Sequence, residues 1–366
     1  MPLYMDIHIL GKISVEDARK AHLADVAIQG KYGVTYHQYW INENSGTVFC
    51  LVEGPDEESC TAVHRESHGL VAHQLVEVEA STYDLFLGGT RKLDHGLVRK
   101  DGVVDTGYRY ILTIDIIART PSTATINFNQ LKLPNIPKNK ALGFIHKCDG
   151  KEIKKEGFDS IVAIFETPEN ILKCAHLIKM EFLNNHSAHD NENGTISFSM
   201  GIGVGQPLTE KEGFFEKAIQ LSKRLCLIAG DKEITTSRLF EELCSANEIV
   251  GKHKHLRILK PAEQKFVENF LDIVENHYSE HEFGVDFLSQ NMAVSQPQLY
   301  RKVTAITGRS PVNFIRDLRL KKALSMIKEN KYNLTEIAME VGYNNPSYFS
   351  RCFQQKFGIK PSSIAI

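Results

Sequence analysis

FGVDFLSQNMAVSQPQLYRKVTAITGRSP, residues 283–311, and LTEIAMEVGYNNPSYFSRCFQQKFGIKP, residues 334–361, are one pattern written twice. Leu288, Met292, Val294, Ser295, Leu299, Arg301, Val303, Gly308 and Pro311 recur as Ile337, Val341, Tyr343, Asn345, Phe349, Arg351, Phe353, Gly358 and Pro361. The offset is 49 residues as far as Tyr343 and 50 from Asn345 onward, so one residue is added at the turn. Apolar spacing kept on both sides of a tight turn marks a duplicated supersecondary unit rather than chance composition.

Each copy reads as helix, turn, helix. Leu288 and Met292, like Ile337 and Val341, lie four apart and share a helix face. Ser295 and Asn345 fall at the N-cap of the following helix, where a side-chain oxygen accepts an orphan backbone N–H. Leu299 with Val303, and Phe349 with Phe353 and Phe357, form its buried stripe. Pro297, Gln298, Tyr300, Arg301 and Lys302 are then left to face outward, as are Ser347, Tyr348, Ser350 and Arg351. Such a helix fits the major groove, where Arg takes the guanine N7/O6 edge bidentately. Arg301 and Arg351 are expected to read bases, with Pro297, Tyr300, Ser347 and Ser350 as secondary contacts. Lys302, Lys321 and Lys322 are expected to hold phosphates.

Between the copies, Pro311 opens a helix to about Glu329. At 1.5 Å per residue its length is about 28 Å, close to the roughly 34 Å between major-groove faces on one side of B-DNA. From Ser295 onward there are 12 Lys/Arg against 4 Asp/Glu, within a chain of net charge −2. A basic region on a near-neutral chain is an electrostatic footprint for phosphates. The run "LTEIAMEVGYNNPSYFSRCFQQKFGIKPS" resembles the DNA-binding domain of AraC-type transcription regulators, in its Gly-Tyr turn, its Phe-Ser-Arg-x-Phe helix and its closing Pro. The resemblance covers about 100 residues. It implies double-stranded DNA as a partner, with RNA polymerase and a second copy of the chain beside it.

At 366 residues the chain has room for two or three domains. A hydrophobic content of 42% and charged content of 24% are those of an ordinary globular protein. No apolar run reaches the length of a membrane span, and "MPLYMDIHILGK" lacks a secretion signal's charged start and apolar core. The seven cysteines are scattered, with no C-x-x-C pair. That favours reduced thiols in a cytoplasmic protein, and disfavours a zinc ribbon or disulfide framework.

Residues 1–90 carry 5 Lys/Arg against 13 Asp/Glu and hold six of the fifteen histidines. Within residues 1–80 the pattern is strand, helix, strand, strand, helix, strand. "SVEDARKAHLADVAIQGKYG" has a Ser cap, an acidic first turn and a Gly stop. "VTYHQYWI" and "TVFCLVE" form a hairpin around Asn44, Ser45 and Gly46. This is the ferredoxin-like split βαβ arrangement, which does not itself define a function. His64 and His68, four apart on one helix face, can reach a single ion; an i,i+4 His pair is also common on plain surfaces. His8 and His22 lie on neighbouring elements, and Asp6, Asp25 or Glu66 could complete or orient the set. "YMDIHIL", "AHLADVAIQGKYGVTYHQYW" and "VFCLVEGPDEESCTAVHRESHGLVA" resemble a family of small bacterial ferredoxin-like proteins described as nickel-binding or nickel-responsive. That resemblance implies nickel or a similar divalent transition metal, with His8, His22, His64 and His68 as ligands and Tyr36, His37 and Cys50 as further candidates.

Residues 81–108 read as a Gly-rich linker. Residues 109–245 resemble a class III adenylate/guanylate cyclase domain, chiefly in "GFFEKAIQLSKRLCLIAGDKEITTS", with "IDIIARTPSTA" and "EGFDSIVAIF" in support. The resemblance implies ATP or GTP with Mg or Mn, held by Asp115 and Asp159. It likewise implies Lys155 at the purine and Arg224 at the transferring phosphoryl group. The flanking glycines are replaced by Phe158 and Ser160, and the expected Asn by Gln220. A displacement of about 1 Å already costs two orders of magnitude in rate, so we expect a degenerate domain kept for dimerisation or nucleotide sensing. Residues 246–262 read as a second linker and 263–366 as the DNA-binding domain. The fold class expected is multidomain α+β, two ferredoxin-like α/β sandwiches followed by an all-α double helix-turn-helix domain. The function expected is a metal- or nucleotide-responsive transcription regulator. The alternative is a metal-dependent nucleotide cyclase with an accessory DNA-binding domain.

Overall fold

The computed structural model describes residues 1–87, 104–119, 135–154, 160–184, 195–207, 215–246 and 256–364. Two compact units divide it, Met1–Arg109 with Gly205–Ala218, and Tyr110–Val204 with Ile219–Ile366.

The first unit begins β1 (Leu3–Ile9), α1 (Val15–Ile28), β2 (Thr35–Asn42), β3 (Thr47–Glu53), α2 (Glu57–Ser67), β4 (Gln74–Glu77). Its sheet runs β2-β3-β1-β4, with every pairing antiparallel. Ser14 starts α1 through a capping box, its hydroxyl accepting the Asp17 N–H at 3.2 Å while Asp17 accepts the Ser14 N–H. Gly46 closes the hairpin at φ +65°, where a Cβ would stand 1.9 Å from the Gly11 carbonyl oxygen. Residues 81–108, expected as linker, instead begin within a helix, α3 (Ala80–Leu87), which buries Tyr83, Phe86 and Leu87. Phe86 stacks on Phe215 with centroids 4.8 Å apart. The glycines that suggested a connector start only at Gly88, outside the described residues.

The second unit holds a six-stranded sheet built by β5 (Arg109–Arg119), β6 (Lys151–Glu152), β7 (Ile161–Phe165), β8 (Thr195–Gly205), β9 (Ile234–Ser237) and β10 (Leu256–Leu259). Their order is β10-β9-β8-β5-β7-β6. The helices between them are α4 (Asn135–Lys147), α5 (Pro168–Asn184), α6 (Glu216–Ile228) and α7 (Arg238–Ala246). Gly201 lets α6 lie directly on β8: a Cβ there would stand 2.1 Å from the Ser222 carbonyl oxygen. Residues 246–262, expected as linker, supply β10, which pairs parallel with β9.

Six helices follow: α8 (Pro261–His277), α9 (Val285–Asn291), α10 (Gln296–Thr307), α11 (Pro311–Glu329), α12 (Leu334–Glu340) and α13 (Pro346–Phe357). One core joins Leu225 and Ile228 of α6 and Leu259 of β10 to Phe270, Leu271, Leu288, Leu299 and Val303. A second gathers Leu320, Ile327, Ile337, Val341, Phe349, Phe353 and Phe357. The duplication extends to the backbone. Ala293 and Gly342 occupy the same place in the two turns, both left-handed at φ +52° and +84°. Gly308 and Gly358 end α10 and α13 at +68° and +79°.

Candidate metal centre and nucleic-acid interface

β1 alternates faces, so Asp6 and His8 lie on the same side of the strand. α2 presents His64, and His68 caps its end. Asp25 arrives from α1. Asp6, His8, His64 and Asp25 are buried, while His68 is half-buried at the rim. His64 Nε2 stands 2.7 Å from Asp6 Oδ2, and its Nδ1 stands 3.2 Å from Asp25 Oδ1 and 3.3 Å from His68 Nε2. Two groups of three potential ligands result, Asp6–His8–His64 and Asp25–His64–His68, each with donor atoms within 4.8 Å of one another.

The electrostatics are those of charges held together out of water. Burial alone would raise the Asp6 carboxyl, but His8 and His64 outweigh it and hold it well below the usual carboxylate range. Burial opposes ionisation of Asp25 as well, yet hydrogen bonds from His64 and His68 keep it at about 2. Burial disfavours a charged His64, and the two carboxylates override this, raising it to about 10. Ser67 donates to Asp25 at 2.5 Å, and the Tyr36 hydroxyl lies 3.1 Å from His64 Nε2. Replacing such a buried ion cluster by apolar residues is often neutral or stabilising, so cohesion alone gives little reason for it. The residues fit a divalent transition ion. Imidazole and carboxylate are the appropriate donors, and His8, 4% exposed, has an Nδ1 without a hydrogen-bond partner.

Several sequence candidates lie elsewhere. His22 is buried against Tyr39, with centroids 4.7 Å apart, outside both three-ligand groups. His37 pairs with Glu53 at 3.0 Å. Glu66 is taken by Lys31 and Tyr32. Cys50 uses its backbone N–H to donate to Asp6 at 3.0 Å, and burial pushes its thiol pKa well up. Ser67, which positions Asp25, carries no signal in the sequence.

In the helical region α10 exposes Pro297, Tyr300 and Arg301, and α13 exposes Ser347, Tyr348 and Arg351, with Ser350 half-buried. The Arg351 guanidinium lies 5.7 Å from the Tyr348 ring centroid. Asn345 caps α13, accepting the Tyr348 N–H at 2.9 Å. Ser295 sits at the N-cap of α10, but its side chain makes no capping bond there. Lys302 is half-buried, 5.1 Å from the centroid of Phe266, and Lys322 is exposed, 5.8 Å from that of Tyr278. Lys321, expected at phosphate, is instead paired with the Asp115 carboxylate of β5.

That pairing also bears on the cyclase-like candidates. Asp115 is engaged by Lys321. Arg224 donates to Asp272 at 2.5 Å and to Glu275 at 2.6 Å, both on α8. Lys155 and Asp159 lie outside the described residues. The two candidates that are described are therefore both engaged in ion pairs that join the sheet domain to the helices.

Residues 288–365 match the family model described as a helix-turn-helix domain, and residues 4–78 that of nickel responsive protein SCO4226-like. The chain is 37% identical over 100 residues, 27% of its length, to histidine kinase P4 of Formosa agariphila, of which it covers 7%. It is 33% identical over 93 residues, 25% of its length, to the HTH-type transcriptional activator RhaS of Mannheimia succiniciproducens, of which it covers 34%. It thus spans about a third or less of these curated relatives. The crystal structure of SCO4226 from Streptomyces coelicolor A3(2) is 35% identical, covering 21% of this chain and 94% of that one, with a TM-score of 0.20. Among the described residues no helix is long and apolar enough to cross a membrane. Residues 288–365 are thus similar to the helix-turn-helix domains of AraC-type regulators, and residues 4–78 to nickel responsive SCO4226-like proteins.

Proposed function

We propose that the chain is a sequence-specific DNA-binding transcription regulator of the AraC type, whose ferredoxin-like N-terminal domain responds to nickel or a similar divalent ion. The observation that carries the reading is the repeat itself. Two helices in equivalent settings, α10 and α13, each keep a buried apolar stripe and present an exposed Arg at the same position, Arg301 and Arg351. A nineteen-residue helix, α11, separates them, a length suited to successive major grooves. Arg301 and Arg351 read bases, supported by Pro297, Tyr300, Ser347 and Ser350, while Lys302 and Lys322 hold phosphates. The buried Asp–His cluster takes the ion. Asp115 and Arg224 join domains rather than catalyse, and the regulator acts on promoters with RNA polymerase, as a pair of chains.

Selection of bound duplex from random oligonucleotides, using the full chain with and without added Ni²⁺, tests this. An enriched motif whose recovery changes with the ion is the expected result. No enrichment at moderate salt removes the regulator reading, and enrichment indifferent to the ion removes the metal response alone.

A further inference from the structure

The two three-ligand groups meet in one side chain, His64, and they use its opposite nitrogens. Nε2 faces Asp6 at 2.7 Å; Nδ1 faces Asp25 at 3.2 Å and His68 at 3.3 Å. The lone pairs of an imidazole ring point away from one another in the ring plane, so one ion bonds only one of them. The groups therefore cannot be two descriptions of a single site around His64. We propose that the cluster holds two divalent transition ions bridged by the His64 ring, one completed by Asp6 and His8 and the other by Asp25 and His68. This rests on the metal reading above and adds to it a number, a bridge and an assignment of ligands.

Each ion would receive one carboxylate, one imidazole of its own and one nitrogen of the shared ring, a donor set suited to Ni, Cu or Zn. The donors stand on regular structure. Asp6 and His8 share one face of β1, His64 is on α2, Asp25 is on α1, and His68 is the residue that caps the end of α2. The inner group is held out of water: His8 is 96% buried, and its Nε2 faces Asp6 Oδ1 at 3.6 Å, beyond a normal hydrogen bond. The outer group opens at the rim through His68, whose side chain is 15% exposed. A ring bonded to metal through both nitrogens carries no N–H, so loading both groups releases those protons to solvent and leaves an imidazolate.

The test uses the full chain stripped of metal, titrated with Ni²⁺ by equilibrium dialysis and with Cu²⁺ under electron paramagnetic resonance. His64→Gln and His68→Gln serve as variants, and circular dichroism checks that each is folded. The expected result is two ions more in the parent than in H64Q, and one ion more in the parent than in H68Q. The Cu²⁺ signal should grow with the first equivalent and fall with the second as the two spins couple through the ring. In H68Q the remaining Cu²⁺ should give an uncoupled spectrum of full intensity. A difference of one ion between parent and H64Q, or two ions without coupling, overturns the bridge while sparing the metal reading. Equal stoichiometry in parent and H64Q overturns both.

Discussion

Arg351 and Lys302 are both basic residues of recognition helices, yet their surroundings separate their roles. Arg351 is exposed beside Tyr348, free to offer its planar fork to a base edge. Lys302 is half-buried over Phe266 and offers a point charge. Arg351→Ala should cost about 1–3 kcal/mol of specific binding and relax one base preference, whereas Lys302→Ala should weaken all sequences alike. Competition binding with a selected duplex against random duplex measures the difference, and equal losses on both would remove the assignment of roles. At this scale the sequence yields side chains whose relations are local. His64 with His68, and Asp6 with His8, follow from helix and strand periodicity. That His22 turns to Tyr39 while Asp25, three residues on, reaches His64 depends on how α1 meets the sheet, and spacing along one helix does not carry that information.

The repeated turns allow a prediction at the level of the element. Gly342 and Ala293 hold the same left-handed position in the two copies. A Cβ on Gly342 would stand 2.8 Å from the Tyr278 carbonyl oxygen and 2.9 Å from the Arg319 guanidinium. Gly342→Ala should therefore lower stability by about 1–3 kcal/mol, the cost of a left-handed non-glycine residue, with the close contacts added. Ala293→Gly relieves the same backbone cost but adds freedom to the unfolded chain, two opposing effects of about 1 kcal/mol. Its melting temperature should stay close to the parent's. Thermal unfolding of both variants decides, and equal losses would show that the two turns are not equivalent. The duplication was legible because its apolar spacing is strong and contiguous. β10 was not, because Leu256–Leu259 is only four residues long and is made a strand by its parallel pairing with β9.

Over the whole molecule, the boundary drawn near residue 262 from composition divides something the fold keeps together. Leu225, Ile228 and Leu259 belong to the same core as Phe270, Leu271 and Val274, so a fragment of residues 263–366 would expose an apolar face of α8. Leu271, fully buried there, should cost about 2–5 kcal/mol as Leu271→Ala, read as a lower denaturant midpoint of the full chain. The polar links across the same boundary are Arg224 with Asp272 and Glu275, and Asp115 with Lys321. Both Asp115 and Lys321 are largely shielded, with side chains 15% and 24% exposed. Removing one partner leaves a charge in poor contact with water, while removing both does not. Asp115→Asn should therefore destabilise the chain, and Lys321→Met in the same molecule should recover much of that loss. A double-mutant cycle should give a coupling of about 1–3 kcal/mol. If the two substitutions prove additive in denaturant unfolding, the pair contributes nothing specific to holding the sheet domain on the helices. The apolar core would then account for that association by itself.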